Sequence, residues 1–122
     1  DNIGGFMGGK GYYIRLVLKD NLYYFQLWYR GKQEMGNSIG YQTSDECKKG
    51  LIRFKKILAN NEMTEDNEFF EIVKLDSRKY VYRFFDKNRN ELYVSRIINT
   101  RHNCVKSMLS TYRNLPYADI KL

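Results

Sequence analysis

Hydrophobic and polar positions follow two different periods along this chain. Segments rich in aromatic and β-branched residues occur in two sets of three, and short polar turns separate the members of each set. Each set predicts an antiparallel meander, because its turns are short enough for hairpins. The six predicted strands are residues 12–18, 22–29, 33–39, 69–75, 80–85 and 91–98.

A helix is predicted after each set of strands. The first follows a capping box, Thr43-Ser44-Asp45-Glu46. In such a box the Thr43 hydroxyl accepts from the backbone amide of Glu46, and the Glu46 carboxylate accepts from the backbone amide of Thr43. Beyond the box, apolar residues recur at the spacing of one helix face: Cys47, Leu51, Phe54 and Leu58. The second helix is predicted to begin after Thr100 and to end at Pro116.

The two strand–helix sets repeat one another at an offset of 57 residues without gaps. The identical pairs are Tyr23/Tyr80, Glu34/Glu91, Ser38/Ser95, Thr43/Thr100, Cys47/Cys104, Lys49/Lys106 and Leu58/Leu115. The first strand fits this alignment poorly, since Arg15 falls opposite Ile72. The register of that strand stays open, with a local slip or a bulge as one solution.

The repeat predicts how the chain is organised. Its first copy covers residues 12–58 and its second copy covers residues 69–115, with an acidic linker at 59–68 between them. Together with a short tail, these segments predict a single domain over residues 12–122. The glycine-rich residues 1–11 predict a flexible leader, because no helix follows them to form a phosphate-binding loop.

Alternation along the middle strands assigns side chains to the two faces of the predicted sheet. One face turns toward the helices and carries Phe25, Leu27, Tyr82 and Phe84. The other face combines aromatic rings with polar and cationic groups, and Tyr24 lies at its border. This candidate ligand-contacting face consists of Tyr24, Gln26, Trp28, Arg83 and Phe85.

Several positions carry a resemblance to a known family. The strand Tyr23-Tyr24-Phe25-Gln26-Leu27 and the residues Ser38, Tyr41, Thr43, Ser44 and Gly50 resemble the YegP-like family, a domain of unknown function. The second set departs from the pattern, with Ile98 and Ser107 in place of the tyrosine and the glycine. The resemblance implies an α+β fold with two tandem βββα repeats. The two repeats are related by a pseudo-twofold axis and form one antiparallel sheet. Both helices pack on one face of this sheet and are exchanged between the repeats. It implies no activity.

Composition excludes several classes of protein. With 43% hydrophobic and 16% aromatic residues in 122, the chain has too much apolar ring area for a disordered segment. A mean hydropathy of −0.63 and the absence of a long apolar run predict no membrane association. The formal charge of +7 raises the prospect of a polyanionic partner.

Candidate catalytic chemistry is sparse in the sequence. His102 is the single histidine and falls in the first turn of the second predicted helix, where a surface or capping role is the simplest one. Cys47 and Cys104 lack the paired spacing of a zinc site, and we expect two buried free thiols in a reducing, cytoplasmic setting. The alternative is a single bridge between them, which requires that their helices lie side by side. We therefore predict no enzyme activity, no catalytic residues, no metal and no cofactor.

Two functional hypotheses remain. The first is a small module that binds an unknown protein partner or a second copy of itself through the sheet. The alternative is binding of single-stranded RNA or DNA, in which rings stack on bases and cations neutralise phosphates. The basic, aromatic sheet face is the candidate surface in both.

Overall fold

The computed structural model describes residues 9–64 and 68–121, which we call the first half and the second half. Each half contains three strands followed by a helix. The elements are β1 (Tyr12–Lys19), β2 (Leu22–Tyr29), β3 (Gln33–Ser38), α1 (Ser44–Asn60), β4 (Phe70–Asp76), β5 (Lys79–Phe85), β6 (Glu91–Ser95), α2 (Arg101–Asn114) and β7 (Asp119–Lys121). A 3₁₀ turn, Leu115–Tyr117, precedes β7. The predicted α+β class is confirmed.

Within the described residues, the strands form one seven-stranded sheet in the order β4-β5-β6-β3-β2-β1-β7. Neighbouring strands are antiparallel except for β1 and β7, which are parallel. The two meanders meet at the centre, where β3 pairs with β6. The strand β7 was not predicted, because its three exposed residues pair with Tyr13–Arg15 across almost the whole chain and leave no local pattern.

Pairing of the first strands corrects the gapless alignment. Ile14 lies opposite Leu27, whereas Phe70 lies opposite Phe84, so Ile14 corresponds to Phe70 and not to Glu71. The strand β4 therefore has one residue more than β1 over the matched stretch, and a register shift between Lys74 and Asp76 accommodates it. Burial explains the slip, since moving a strand by one residue would turn the fully buried Ile14 to the opposite face.

Both helices begin at the predicted threonines. The Thr43 hydroxyl accepts from the backbone amide of Glu46, and the Thr100 hydroxyl accepts from that of Asn103, each at 3.1 Å. The second contact of the first cap differs from the prediction, because the Glu46 carboxylate accepts from the Thr43 hydroxyl at 3.2 Å. The helix α1 continues to Asn60 and so enters the segment predicted as linker.

The start of the first half contradicts part of the predicted leader. The Gly9 amide donates to the Asn114 side chain at 2.8 Å, and the Gly11 carbonyl accepts from the Arg30 amide at 2.7 Å. Residues 9–11 are therefore joined to the domain. Residues 1–8 of the predicted leader lie outside the described residues, as do Glu65 and Asp66 of the predicted linker.

The core lies between the sheet and the helices. The four residues predicted to face the helices, Phe25, Leu27, Tyr82 and Phe84, are all fully buried, as predicted. The Phe54 ring of α1 lies 5.9 Å from that of Phe25 and 5.4 Å from that of Phe84, centroid to centroid. One aromatic side chain thus joins the cores of the two halves.

Gly50 marks a close approach between α1 and the Tyr41 side chain. A Cβ at position 50 would overlap the Tyr41 ring, including its hydroxyl. Gly50 is itself buried, so an added methyl group requires the Tyr41 ring to move.

We predict that Gly50→Ala destabilises the protein by about 1 to 3 kcal/mol, because overpacking outweighs the gain of about 1 kcal/mol in helix propensity. Urea unfolding measures the change. Lys49→Ala, an exposed neighbour on the same helix, is the control. In a Tyr41→Ala background the Gly50 substitution should cost much less, and an equal cost there would contradict the close-contact explanation.

Candidate functional site

The sheet face opposite the helices brings together three of the five predicted site residues. Gln26 and Trp28 lie on β2 beside β1, where their cross-strand partners are Arg15 and Tyr13 respectively. Because partners directly opposite in an antiparallel pair share one face, these four side chains form a single patch. Tyr24 continues the patch along β2 and is partly buried.

A chain of side-chain hydrogen bonds fixes the amides of this patch. The Trp28 indole Nε1 donates to Gln26 Oε1 at 2.9 Å, and Gln26 Nε2 donates to Asn37 Oδ1 at 2.9 Å. The Asn37 amide in turn donates to the Glu34 carboxylate. These bonds cross from β2 to β3 and hold Trp28 in one orientation.

Cations lie over the aromatic rings of the same patch. The Arg15 guanidinium is 5.2 Å from the Trp28 ring centre, and the Lys121 ammonium is 4.7 Å from that of Tyr13. Such contacts contribute about 0.5 to 1 kcal/mol at exposed sites. We call the group Tyr13, Arg15, Tyr24, Gln26, Trp28 and Lys121 the cation–ring surface.

The other two predicted residues, Arg83 and Phe85, have partners of their own in the second half. Arg83 Nε lies 3.4 Å from the Glu91 carboxylate. Phe85 is 7% exposed, and the Arg89 guanidinium covers its ring at 4.2 Å from the centre. Arg89 also lies 3.4 Å from the Glu71 carboxylate, so both Arg83 and Arg89 are paired with a glutamate.

Sequence reasoning missed the residues that complete or cover the site. Arg15 was overlooked because the register of β1 was open, although its pairing with Gln26 follows once Ile14 is placed inside. Lys121 reaches Tyr13 through the unpredicted strand β7. Arg89 follows a turn and has a positive φ of 63°, which no hydrophobic pattern signals.

Several groups with raised pKa values lie in the core. Burial raises the pKa of Cys104 to about 11 and also raises that of Cys47, and both thiols are free. Burial likewise raises the pKa of Tyr82, whose hydroxyl lies 2.6 Å from that of Thr111. These groups favour their neutral forms. His102 is exposed on α2.

Within residues 9–64 and 68–121, no group of three or more histidine, cysteine, aspartate or glutamate side chains is placed to hold a metal ion. Over the same part of the chain, no helix is both long and apolar enough to span a membrane.

Comparison with known proteins identifies two similar structures. No protein-family model matches the sequence, and no curated protein does either. The solution structure of the protein of unknown function yegP from E. coli has a TM-score of 0.75 at 17% identity and covers 95% of this chain and 93% of its own. A UPF0339 protein from Shewanella oneidensis has a TM-score of 0.71 at 15% identity, with coverage of 91% and 90%. The resemblance drawn from the sequence is thereby confirmed at the level of the fold.

Proposed function

On the premise of this YegP-like fold, we propose that the protein is a non-enzymatic interaction module that binds another protein through the cation–ring surface. The observation that carries the proposal is the arrangement of Trp28 and Tyr13, each with a cation over its ring and each on a rigid strand. Tyrosine, tryptophan and arginine are the residues most enriched at protein interfaces and at their energetic hot spots.

Preorganisation supports binding by this surface. Association costs free energy when long side chains must be ordered. Here Trp28 is already held by Gln26 and by Arg15, and Tyr13 by Lys121. Partly exposed rings that are fixed in this way offer apolar contact area with little further loss of side-chain entropy.

Carboxylates on the strands favour a protein partner over nucleic acid. Glu34 ends the hydrogen-bond chain beside Trp28, while Glu91 pairs with Arg83 and Glu71 pairs with Arg89. A phosphate backbone lying across the whole sheet would meet these three negative charges. Of the five candidate site residues, Tyr24, Gln26 and Trp28 therefore belong to the proposed interface. Arg83 and Phe85 lie outside it on β5, which β6 and β3 separate from β2.

The absence of catalysis is part of the same proposal. Its support is that the perturbed tyrosines and cysteines are buried in the core, away from any cleft that would admit a substrate. The two free thiols also support the proposed cytoplasmic location, since reducing compartments keep cysteines unpaired.

We predict that Trp28→Ala and Arg15→Glu each weaken partner binding at least about tenfold, because both remove the cation–ring contact at the centre of the surface. Proteins retained from a lysate of the source cells by each immobilised variant are compared by quantitative mass spectrometry. A specific partner is then purified and its affinity measured by calorimetry. Sedimentation velocity tests a second copy as the partner.

Ile52→Ala is the matched control, since Ile52 is a 54% exposed apolar residue on α1, on the other side of the sheet. Equal loss of partner binding in this control would contradict the proposal. Tight binding of a single-stranded oligonucleotide that resists salt and disappears in Trp28→Ala would instead favour the nucleic-acid alternative.

We also propose that the two halves are tandem repeats related by a pseudo-twofold axis, with helices that partly exchange between them. Equivalent contacts support this. The Ser38 and Ser95 hydroxyls accept from the amides of Phe25 and Tyr82, each at 3.0 Å. The ring of Phe54, on the helix of the first half, contacts the rings of Phe84 and Tyr93 in the second half. These contacts support a partial exchange of helices.

Duplication predicts equal effects at equivalent positions. Ser38→Ala and Ser95→Ala should each cost about 1 to 3 kcal/mol, because each leaves a buried backbone amide without its hydroxyl acceptor. Urea unfolding of the two variants makes the comparison. A substantial cost at one serine and none at the other would contradict equivalence.

A further inference from the structure

A second candidate site lies between the C-terminal part of α1 and the turn that joins β5 to β6. It is an open cavity of about 710 Å³. One wall is formed by Arg53, Lys56 and Ile57 of α1, and another by residues 85–89. The cavity shares no residue with the cation–ring surface, so it is independent of the proposed protein interface.

The base of the cavity is apolar. Phe69, Phe85 and Leu92 line it and are 6%, 7% and 5% exposed. Ile57 extends this apolar surface up the wall formed by α1 and is partly buried. A ligand that reaches these side chains must carry an apolar group, because they offer no hydrogen bonds.

The rim of the cavity is cationic. Four basic side chains line it, against two carboxylates: Arg53, Lys56, Lys87 and Arg89, against Glu68 and Asp86. Asp86 is engaged within the turn, where it accepts from the amide of Asn88 at 2.8 Å and from that of Asn90 at 3.0 Å. The bonds from Asn90 and then from Asn88 lower the pKa of Asp86, and the nearby charge of Arg53 lowers it as well.

Among residues 9–64 and 68–121, the side-chain ion pairs within 4.0 Å are Arg83 with Glu91 and Arg89 with Glu71, so three of the four cations form no such pair. Arg53 lies close enough to Asp86 to lower the pKa of that carboxyl. Lys56 and Lys87 come from different walls of the cavity, one from α1 and the other from the β5–β6 turn. An anion between these walls would be attracted by both lysines and by Arg53.

We infer that this cavity binds a small aromatic anion, with its ring on the base formed by Phe69 and Leu92 and its phosphate or carboxylate group between Lys56 and Lys87. Charge complementarity at the rim selects the anion, and the apolar base selects the ring. The volume falls in the range of about 300 to 1,000 Å³ that is typical of small-molecule sites.

Three probes separate the two parts of this recognition. 2-Naphthyl phosphate carries both the ring and the anion, 2-naphthol carries the ring alone, and inorganic phosphate carries the anion alone. Each is titrated into the full chain labelled with ¹⁵N, and amide shifts report where it binds. We expect saturable shifts at Phe69, Leu92 and the residues of the 85–89 turn with 2-naphthyl phosphate, and at least about tenfold weaker binding of the other two probes.

The variant that removes the two lysine charges from the cavity is Lys56→Gln with Lys87→Gln. It should bind 2-naphthyl phosphate at least about tenfold more weakly than the unmodified chain. Its matched control is Lys48→Gln with Lys79→Gln, which removes one exposed lysine from α1 and one from β5 at positions that do not line the cavity. The control should leave the affinity unchanged.

Four results would overturn the inference. These are no saturable binding of 2-naphthyl phosphate, equal affinity for inorganic phosphate, an equal loss in the control variant, and shifts confined to residues outside the cavity. An equal loss in the control would mean that the net charge of the chain attracts the anion without a specific site. None of these results bears on the cation–ring surface, because the two sites share no residue.

Discussion

The joint between β3 and β6 holds the two halves of the sheet together through three residue pairs, and Phe54 covers that joint from α1. Its ring lies 5.4 Å from the rings of both Phe84 and Tyr93, while it also contacts Phe25 of the first half. A unit of this length buries only a modest share of its surface and forms a marginal core by itself. The shared aromatic core therefore stabilises both halves.

Both candidate sites depend on this joint, although they use different sides of the molecule. The continuous sheet holds β1, β2 and β3 in register, so that Arg15, Trp28 and Asn37 can form one patch. The same packing of α1 across the joint brings its C-terminal part to the β5–β6 turn, where Lys56 and Lys87 face one cavity. The first site is rich in internally paired groups, whereas the second has unpaired cations over an apolar base.

Features with local causes could be predicted from the sequence. Successive side chains of a strand point to opposite faces of the sheet, and one face is buried against the helices. The alternation along β2 therefore placed Phe25 and Leu27 in the core and Gln26 and Trp28 on the opposite face. The threonine caps fixed both helix starts for a similarly local reason, since a hydroxyl satisfies an amide three residues away.

Features that depend on distant parts of the chain could not be predicted. The strand β7 exists only through its pairing with β1, and Lys121 joins the cation–ring surface through that pairing. The Phe85 ring is covered by the guanidinium of Arg89. Arg89 has a left-handed backbone conformation in the turn after β5. The one-residue slip of β4 follows from a bulge that the gapless alignment hid.

Native-state hydrogen exchange tests most directly whether the two halves share one core. The amides of Leu27 in β2 and Phe84 in β5 report the opening free energy of each half. The shared core predicts equal values for both, lowered together by about 3 to 5 kcal/mol in Phe54→Ala, because a buried ring is lost to both halves. Different opening free energies, or a loss confined to one half, would show that the halves open independently and would contradict the shared core.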